Sequence, residues 1–460
     1  MTIRSALTYV VLLTVTGLCG CKKAFLEKLP STALVVPSTL ADYQLLLDNT
    51  VIMTGTPLLG EVSSDNFYLP HNTWQSMDAW ERNAYVWAPD LFEGQGLVDD
   101  WDVPYRQVFY ANVVLEGLQQ IAVTPANQEQ WKSEQGSALF LRAYALYNVA
   151  QLFAPPYDSS SAATDLGIPL RLGSDVTVPS TRASVAATYE QITQDLRQAR
   201  ILLPVTVPTQ NPNRPSQPAA LALLARVYLG VRAYGLAGVY ADSALQMYNT
   251  LLDYNTLDTV SRFPFSLLNE EVMYQSNIVG YTQCLAAIAY PHTTIDSVLY
   301  GSYSADDLRR SLFYQLNGKG QPTLKPSYAG LVWPFTGLAT DELYLVRAEC
   351  AARAGHVTPA LEDLNTLLRK RYATGRFTDI MVATPQAALD TILVERRKEL
   401  PFRGLRWSDL RRLNKEGRNI TLHRVLDGIP YELLPNSKLY TLPIPPDVLH
   451  YNPNMQQNAR

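Results

Sequence analysis

Apolar residues recur at helical spacing over most of the chain and lose their period in two long stretches. Leu40, Tyr43, Leu46 and Leu47 share one helical face behind Thr39-Leu40-Ala41-Asp42, a capping-box-like start. From Trp101 onward, Tyr105, Val108, Phe109, Asn112 and Leu115 make a second stripe. A long helix is predicted over Gln128 to Phe153, carrying Ala138, Leu141, Ala145, Val149 and Leu152 until Pro155-Pro156 stops it, antiparallel to the one before. Ser184 then caps a helix whose apolar positions Val185, Tyr189, Ile192, Leu196, Ala199 and Leu203 step by 4, 3, 4, 3, 4. Further helices are expected from about Pro218 to Tyr234 and Val239 to Leu252, separated by Gly235 and Gly238, then from Asp341 to Gly355 and Pro359 to Arg371.

These helices repeat. Leu224-Ala225-Arg226 with Arg232-Ala233 matches Leu345-Val346-Arg347 with Arg353-Ala354; a Gly-containing turn and an Ala-Leu pair follow each, and Leu141-Arg142 is a weaker copy. Small residues at one crossing and large ones at the next, in units of about thirty-odd residues, resemble tetratricopeptide repeats. The fold expected is mostly α: a tetratricopeptide-like helical-repeat scaffold over about 101–252 and 341–415, interrupted by irregular excursions over about 51–100 and 253–340, all within one domain from 39 to 460. Arg142, Arg226 and Arg347 lie on or near apolar faces, where an internal ion pair explains them better than a ligand.

Composition sharpens this picture. The 460 residues are 47% apolar and 17% charged, enough for a sizeable core, which rules out wholesale disorder. Lys and Arg number 38 against 42 Asp and Glu, with both signs scattered, so the positive field that nucleic-acid binding needs is lacking. With 27 Tyr against 12 Phe, plus 7 Trp, most rings carry a polar tip suited to half-wet surfaces.

The N-terminus reads as an address. Met1 to Gly20 holds one base, Arg4, and a short apolar stretch from Ala6 to Leu18, too short to span a bilayer. The ending Leu18-Cys19-Gly20-Cys21 resembles the lipobox of bacterial lipoproteins, which implies cleavage before Cys21 and acylation of that residue. Two or more acyl chains give stable anchoring. Residues 21–38 are then anchor and spacer. Cys284 and Cys350 remain in the body, too few for a disulfide framework; Cys350 reads as a small buried hydrophobe, and a bridge between the two is left open.

Motifs for chemistry are missing. His71, His292, His356, His423 and His450 show no metal-type spacing, and the chain has no His-Glu-x-x-His, no Gly-x-Ser-x-Gly and no phosphate loop, so neither a cofactor nor a metal is expected. Asp99-Asp100-Trp101-Asp102 reads as an acidic helix start before it reads as a calcium site. The run from Glu395 to Arg418 holds nine bases and four acids, for which an ion-pair and cation-π network with Trp407 as a ring face is the expectation.

One stretch is specific. Glu395-Arg396-Arg397-Lys398-Glu399-Leu400-Pro401-Phe402-Arg403-Gly404-Leu405-Arg406-Trp407-Ser408-Asp409-Leu410-Arg411-Arg412, with Leu442-Pro443-Ile444-Pro445, Asn452-Pro453 and Gln457-Asn458 near the end, resembles the SusD/RagB family. Phe25-Leu26-Glu27, Ser64-Asp65-Asn66, Leu141-Arg142-Ala143-Tyr144 and Gly167-Ile168-Pro169-Leu170 extend the resemblance over the mature chain; Pro401 and Arg403 depart from it. The resemblance implies a non-enzymatic outer-membrane lipoprotein, facing the cell exterior, that binds glycans, or peptides in the RagB branch, and sits over a SusC-like TonB-dependent transporter. A lipid-anchored hydrolase and a protein-only helical-repeat adaptor are the alternatives. The candidate ligand-binding residues, chosen by position in the excursions, are Trp74 and Trp80 with Asp65 and Asn66 in the first, and Tyr281, Tyr290, Tyr328 and Trp333 in the second.

Overall fold

The computed structural model describes residues 37–460 except 212, 268, 279–292 and 326–327. The expected lipid-anchor residue Cys21, together with Tyr281, Cys284 and Tyr290, lies outside the described residues.

Helix α1 (Leu40–Leu47) starts with the predicted capping box, Thr39 and Asp42 bonding reciprocally. The first excursion is less irregular than its sequence suggests. It winds through α2 (Thr50–Met53), β1 (Gly55–Thr56), α3 (Leu59–Val62), β2 (Phe67–Tyr68), α4 (His71–Gln75) and α5 (Ala79–Tyr85), pieces too short to show a period.

The scaffold follows. Helices α6 (Asp99–Leu118) and α7 (Gln128–Phe153) form the first pair, and the short β3 (Leu166–Pro169) and β4 (Arg182–Ser184) lead into α8 (Val185–Leu202), with the Ser184 hydroxyl accepting from the Ala187 amide as predicted. Then come α9 (Gln217–Gly230) and α10 (Tyr234–Met247). Gly235 and Gly238, expected between helices, lie inside α10. For Gly238 the reason is packing: a Cβ there would sit 3.1 Å from Cβ of Cys350, so that glycine is used where two helices cross closely, whereas Gly235 borders open space.

The second excursion contains β5 (Val272–Tyr274), β6 (Asn277–Ile278), β7 (Thr294–Ile295), α11 (Ser297–Gly301), α12 (Arg309–Phe313), β8 (Tyr314–Leu316), β9 (Pro322–Leu324) and β10 (Leu338–Ala339). Helices resume with α13 (Thr340–Arg353), α14 (Val357–Leu368), α15 (Pro385–Glu399) and α16 (Arg406–Asn414), and the chain closes with a hairpin of β11 (Leu422–Leu426) and β12 (Ile429–Leu433) and with α17 (Pro446–Tyr451). Successive scaffold helices pack as neighbours, α6 on α7, α7 on α8, α9 on α10, α10 on α13 and α13 on α14, which is the stacking that helical repeats require. Among the described residues no helix is long and apolar enough to cross a membrane.

The three repeat arginines form ion pairs, buried for Arg142 and Arg226 and partly exposed for Arg347. Arg142 grips Asp195 with two bonds of 2.7 Å, Arg226 pairs with Glu342 at 2.6 Å, and Arg347 joins Asp363 and Asp242, each at 2.7 Å. Each pair ties one helix of the stack to another. The terminal motifs also act locally: the Leu442 amide donates to Leu152 O at 2.8 Å, and the Asn458 side chain donates to Phe153 O at 2.8 Å, laying the C-terminus against the end of α7. Cys350 is buried in α13, where burial pushes its thiol up to about 12.

One glycine fixes the entry to the second run of helices. A Cβ at Gly337 would lie 2.0 Å from the Tyr274 carbonyl, across the β5–β10 pairing. Gly337→Ala is therefore expected to force these strands apart and to cost about 1–3 kcal/mol, the usual range for overpacking. Urea unfolding of the variant checks this; an unchanged midpoint would mean that the pairing has slack.

Candidate functional site

The two excursions are stitched together by backbone. Strands β1 and β6 pair in parallel, Gly55 opposite Asn277 and Thr56 opposite Ile278, while β2 and β7 pair antiparallel, Phe67 opposite Ile295 and Tyr68 opposite Thr294. The Asp296 amide adds a bond to Asn66 O at 2.9 Å, and the Asn277 amide one to Thr54 O at 2.9 Å. The scaffold holds the first excursion from beneath. Gln107 of α6 donates to Ile52 O and Gly55 O at 2.7 and 2.6 Å, and the Asp100 carboxylate accepts from the Leu58 and Leu59 amides, both at 2.8 Å. The acidic segment at the start of α6 thus serves backbone amides, and Asp102 likewise accepts from Val98 N. Among the described residues no group of three His, Cys, Asp or Glu side chains could hold a metal ion.

Three of the candidate residues face inward. Asp65 accepts from Arg406 Nε and Nη2 at 2.6 and 2.7 Å and lies 3.3 Å from Arg397, which also reaches Asp296 at 3.1 Å. Burial alone would raise its carboxyl, but the two guanidiniums hold it well below the usual carboxylate range. Asp65 therefore fastens the first excursion to the C-terminal motif, and Arg397 carries the link on to Asp296 of the second. Asn66 is 1% exposed and donates to Glu61 Oε1 at 2.6 Å, and Glu61 Oε2 accepts from the Gly404 amide at 3.1 Å. Tyr328, expected as a surface ring, is a core ring: its hydroxyl donates to Glu271, and the Arg403 guanidinium lies 4.3 Å from its centroid. Arg403, a departure from the family pattern, is in turn paired with Asp341 at 3.0 Å.

The tryptophans are placed differently. Trp74 on α4 and Trp80 in the first turn of α5 are half-buried, each with part of its ring on the core; Trp74 Nε1 donates to Arg82 O at 3.0 Å. Trp333 is half-buried beside Pro334, next to the end of β6. Two rings were missed by sequence. Tyr68, 42% exposed, points away from the core while its neighbour Phe67 points in, the period-two alternation of a strand. Tyr300 on α11 is half-buried beneath the Arg310 guanidinium at 4.9 Å. Alternation at Phe67-Tyr68 was the available signal, too short to read. Among the described residues no ring contact joins Trp74 or Trp80 to Trp333: what the structure brings together are short strands of the two excursions, of which β2 carries Tyr68. Tyr281 and Tyr290 lie outside the described residues.

Apart from Arg411, which donates to Gln151 O and Ala154 O, the basic run resolves into ion pairs. Arg396 and Arg412 share Asp409, each at 2.8 Å, and Arg412 reaches Glu349 at 2.6 Å. Trp407, expected to receive a cation, instead packs on Tyr440 with centroids 4.7 Å apart.

A pH dependence follows from the buried acids. Burial pushes Glu61 and Asp100 up to about 7 against the hydrogen bonds that lower them, so the folded chain holds these protons more tightly than the unfolded one. Their contribution to stability is fully present below about pH 4 and is lost as pH rises through about 7. Asp409 works the other way: burial opposes it, but Arg396 and Arg412 lower it to about 2, so its contribution is full above about pH 4 and is lost as pH falls from there through about 2. Denaturation midpoints are therefore expected to fall between pH 5 and 7.5, with a shallower slope in Glu61→Gln. A midpoint rising over that interval would contradict the assignment.

Comparison with known proteins completes the description. A family model described as SusD-like, "Starch-binding associating with outer membrane", matches residues 24–229, and the SusD family model matches residues 340–460. Among solved structures, a SusD superfamily protein from Bacteroides thetaiotaomicron superposes with a TM-score of 0.76 at 22% identity, covering 92% of this chain and 100% of its own. A SusD superfamily protein from Bacteroides fragilis gives 0.72 at 19% identity, covering 92% and 100%. A SusD-like carbohydrate binding protein from Bacteroides vulgatus gives 0.68 at 18%, covering 91% and 98%. No curated protein matches the chain in sequence.

Proposed function

The chain belongs to the SusD/RagB family of nutrient-binding proteins, and from that membership we propose that it is a surface lipoprotein, anchored through Cys21, that binds oligosaccharides and delivers them to a SusC-like TonB-dependent transporter of the outer membrane. The observation that carries the ligand-binding part is the pairing of β1 with β6 and of β2 with β7, which joins two ring-bearing excursions on a rigid helical scaffold. Tyr68, Trp74, Trp80 and Trp333 are the rings on which the apolar faces of sugars would stack, with Tyr281 and Tyr290 as further candidates. Asp65 and Asn66 support this surface from behind. A glycan is preferred to a peptide because one matching family is described as starch-binding and one similar structure as carbohydrate binding.

Affinity purification of the intact chain from native membranes tests the assembly. A large TonB-dependent transporter is the expected companion, and Cys21→Ala is expected to move the chain to the soluble fraction, since several acyl chains outweigh peripheral contacts. Repeated purification of intact lipoprotein without a transporter would overturn the delivery step. Cys21→Ala remaining wholly in the membrane would overturn the lipid anchor.

A further inference from the structure

A second concave surface lies on the repeats and shares no residue with either excursion. It is a groove of about 450 Å³ between α8, the end of α9 and the turn that follows α7, lined by Tyr157, Tyr189, Tyr228 and Ala186, with Glu190 and Arg232 among its polar residues. The volume is that of a small-molecule site, and ring walls with a few polar groups are the usual lining of one.

The rings are held in place. Tyr228 lies parallel to Tyr240, 4° between planes at 5.3 Å, and Tyr157 stands edge-on to Tyr189 at 5.5 Å. Tyr228 and Tyr157 are only half-buried, so their packing is satisfied on one side while the other borders the groove. Arg232 adopts a left-handed backbone, φ 63°, uncommon for a bulky residue, and its guanidinium donates to Tyr157 O at 2.9 Å, fixing the turn that carries that ring. Glu190 is exposed and paired with Arg197 at 2.9 Å. The rim therefore carries both signs of charge, and no strong field selects an ion. What fits is a neutral ligand with an apolar face for the rings and hydroxyls for Glu190 and Arg232.

We propose that this groove is a second sugar subsite, taking a neutral pyranose oligosaccharide independently of the excursion rings. It rests on the reading of the chain as a glycan-binding protein. The test uses the mature lipoprotein in a detergent without sugar head groups, titrated calorimetrically with maltohexaose, cellohexaose and mannohexaose. Wild type is expected to show two classes of site for at least one of these probes. Tyr228→Ala is expected to weaken one class at least tenfold, as loss of a hot-spot aromatic does. Ala186→Trp, which adds bulk to the groove lining, should abolish the same class while leaving the other intact with circular dichroism unchanged, and Trp74→Ala should do the reverse. A single class, lost in Trp74→Ala and unchanged in Ala186→Trp, would overturn the second subsite and leave the function standing. No heat with any probe would overturn both.

Discussion

Arg371→Ala is expected to destabilise the chain by about 3–5 kcal/mol, the cost of leaving buried charges unpaired. Arg371 is wholly buried between Glu399 at 2.6 Å and Glu271 at 2.7 Å; it donates to Leu252 O at 2.8 Å, and its guanidinium lies 4.0 Å from the Tyr254 centroid. Glu399 also receives Arg309, itself bonded to Asp307 and Glu395, so one connected network joins the second excursion to α15. Without Arg371, Glu271 loses its guanidinium partner while burial already raises its carboxyl. The control is Arg369→Ala. Arg369 pairs with Asp379 at the surface, 53% and 46% exposed, and such pairs are worth about 0–1 kcal/mol. Urea denaturation of both variants decides the matter; a loss below about 1 kcal/mol for Arg371→Ala would show that the network is not what fixes the excursion.

The second large effect concerns the ligand. Trp74→Ala, Trp80→Ala and Trp333→Ala are each expected to lower affinity for the bound glycan by about thirtyfold, the equivalent of roughly 2 kcal/mol for a hot-spot ring. Each ring is only half-buried, so truncation leaves most of the core in place, and circular dichroism should be unchanged. Isothermal titration beside wild type is the measurement. If all three variants fold and bind within about twofold of wild type, the rings pin loops and the excursion surface is not the ligand platform.

How much of this was legible depends on distance along the chain. The helix from Gln128 to Phe153 and the cap at Ser184 were readable because period and capping are local signals. The join between excursions was not: two-residue strands such as β1 and β6, more than two hundred positions apart, leave no pattern in either segment. Asp65 reads as a polar side chain in a loop, and only the fold brings Arg406 against it; Asn66 is held by Glu61, five residues away, through a short helix that leaves no period. Tyr328 was misjudged for the same reason, its partners Glu271 and Arg403 being remote in sequence. The basic run is an ion-pair network as expected, but only the Lys398–Glu395 and Arg412–Asp409 pairs lie within helical reach; Glu349, Asp341 and Asp65 are brought in by the fold, and Trp407 has a tyrosine for its neighbour in place of a cation.

The most direct test of the central claim is calorimetric titration of the mature chain with a panel of oligosaccharides and, in parallel, peptides, followed by chromatography of the recovered ligand. The account predicts saturable binding of a glycan, silence with the peptides and recovery of the glycan uncleaved. A folded chain that binds peptides alone, binds nothing in the panel, or returns shortened glycans would contradict it.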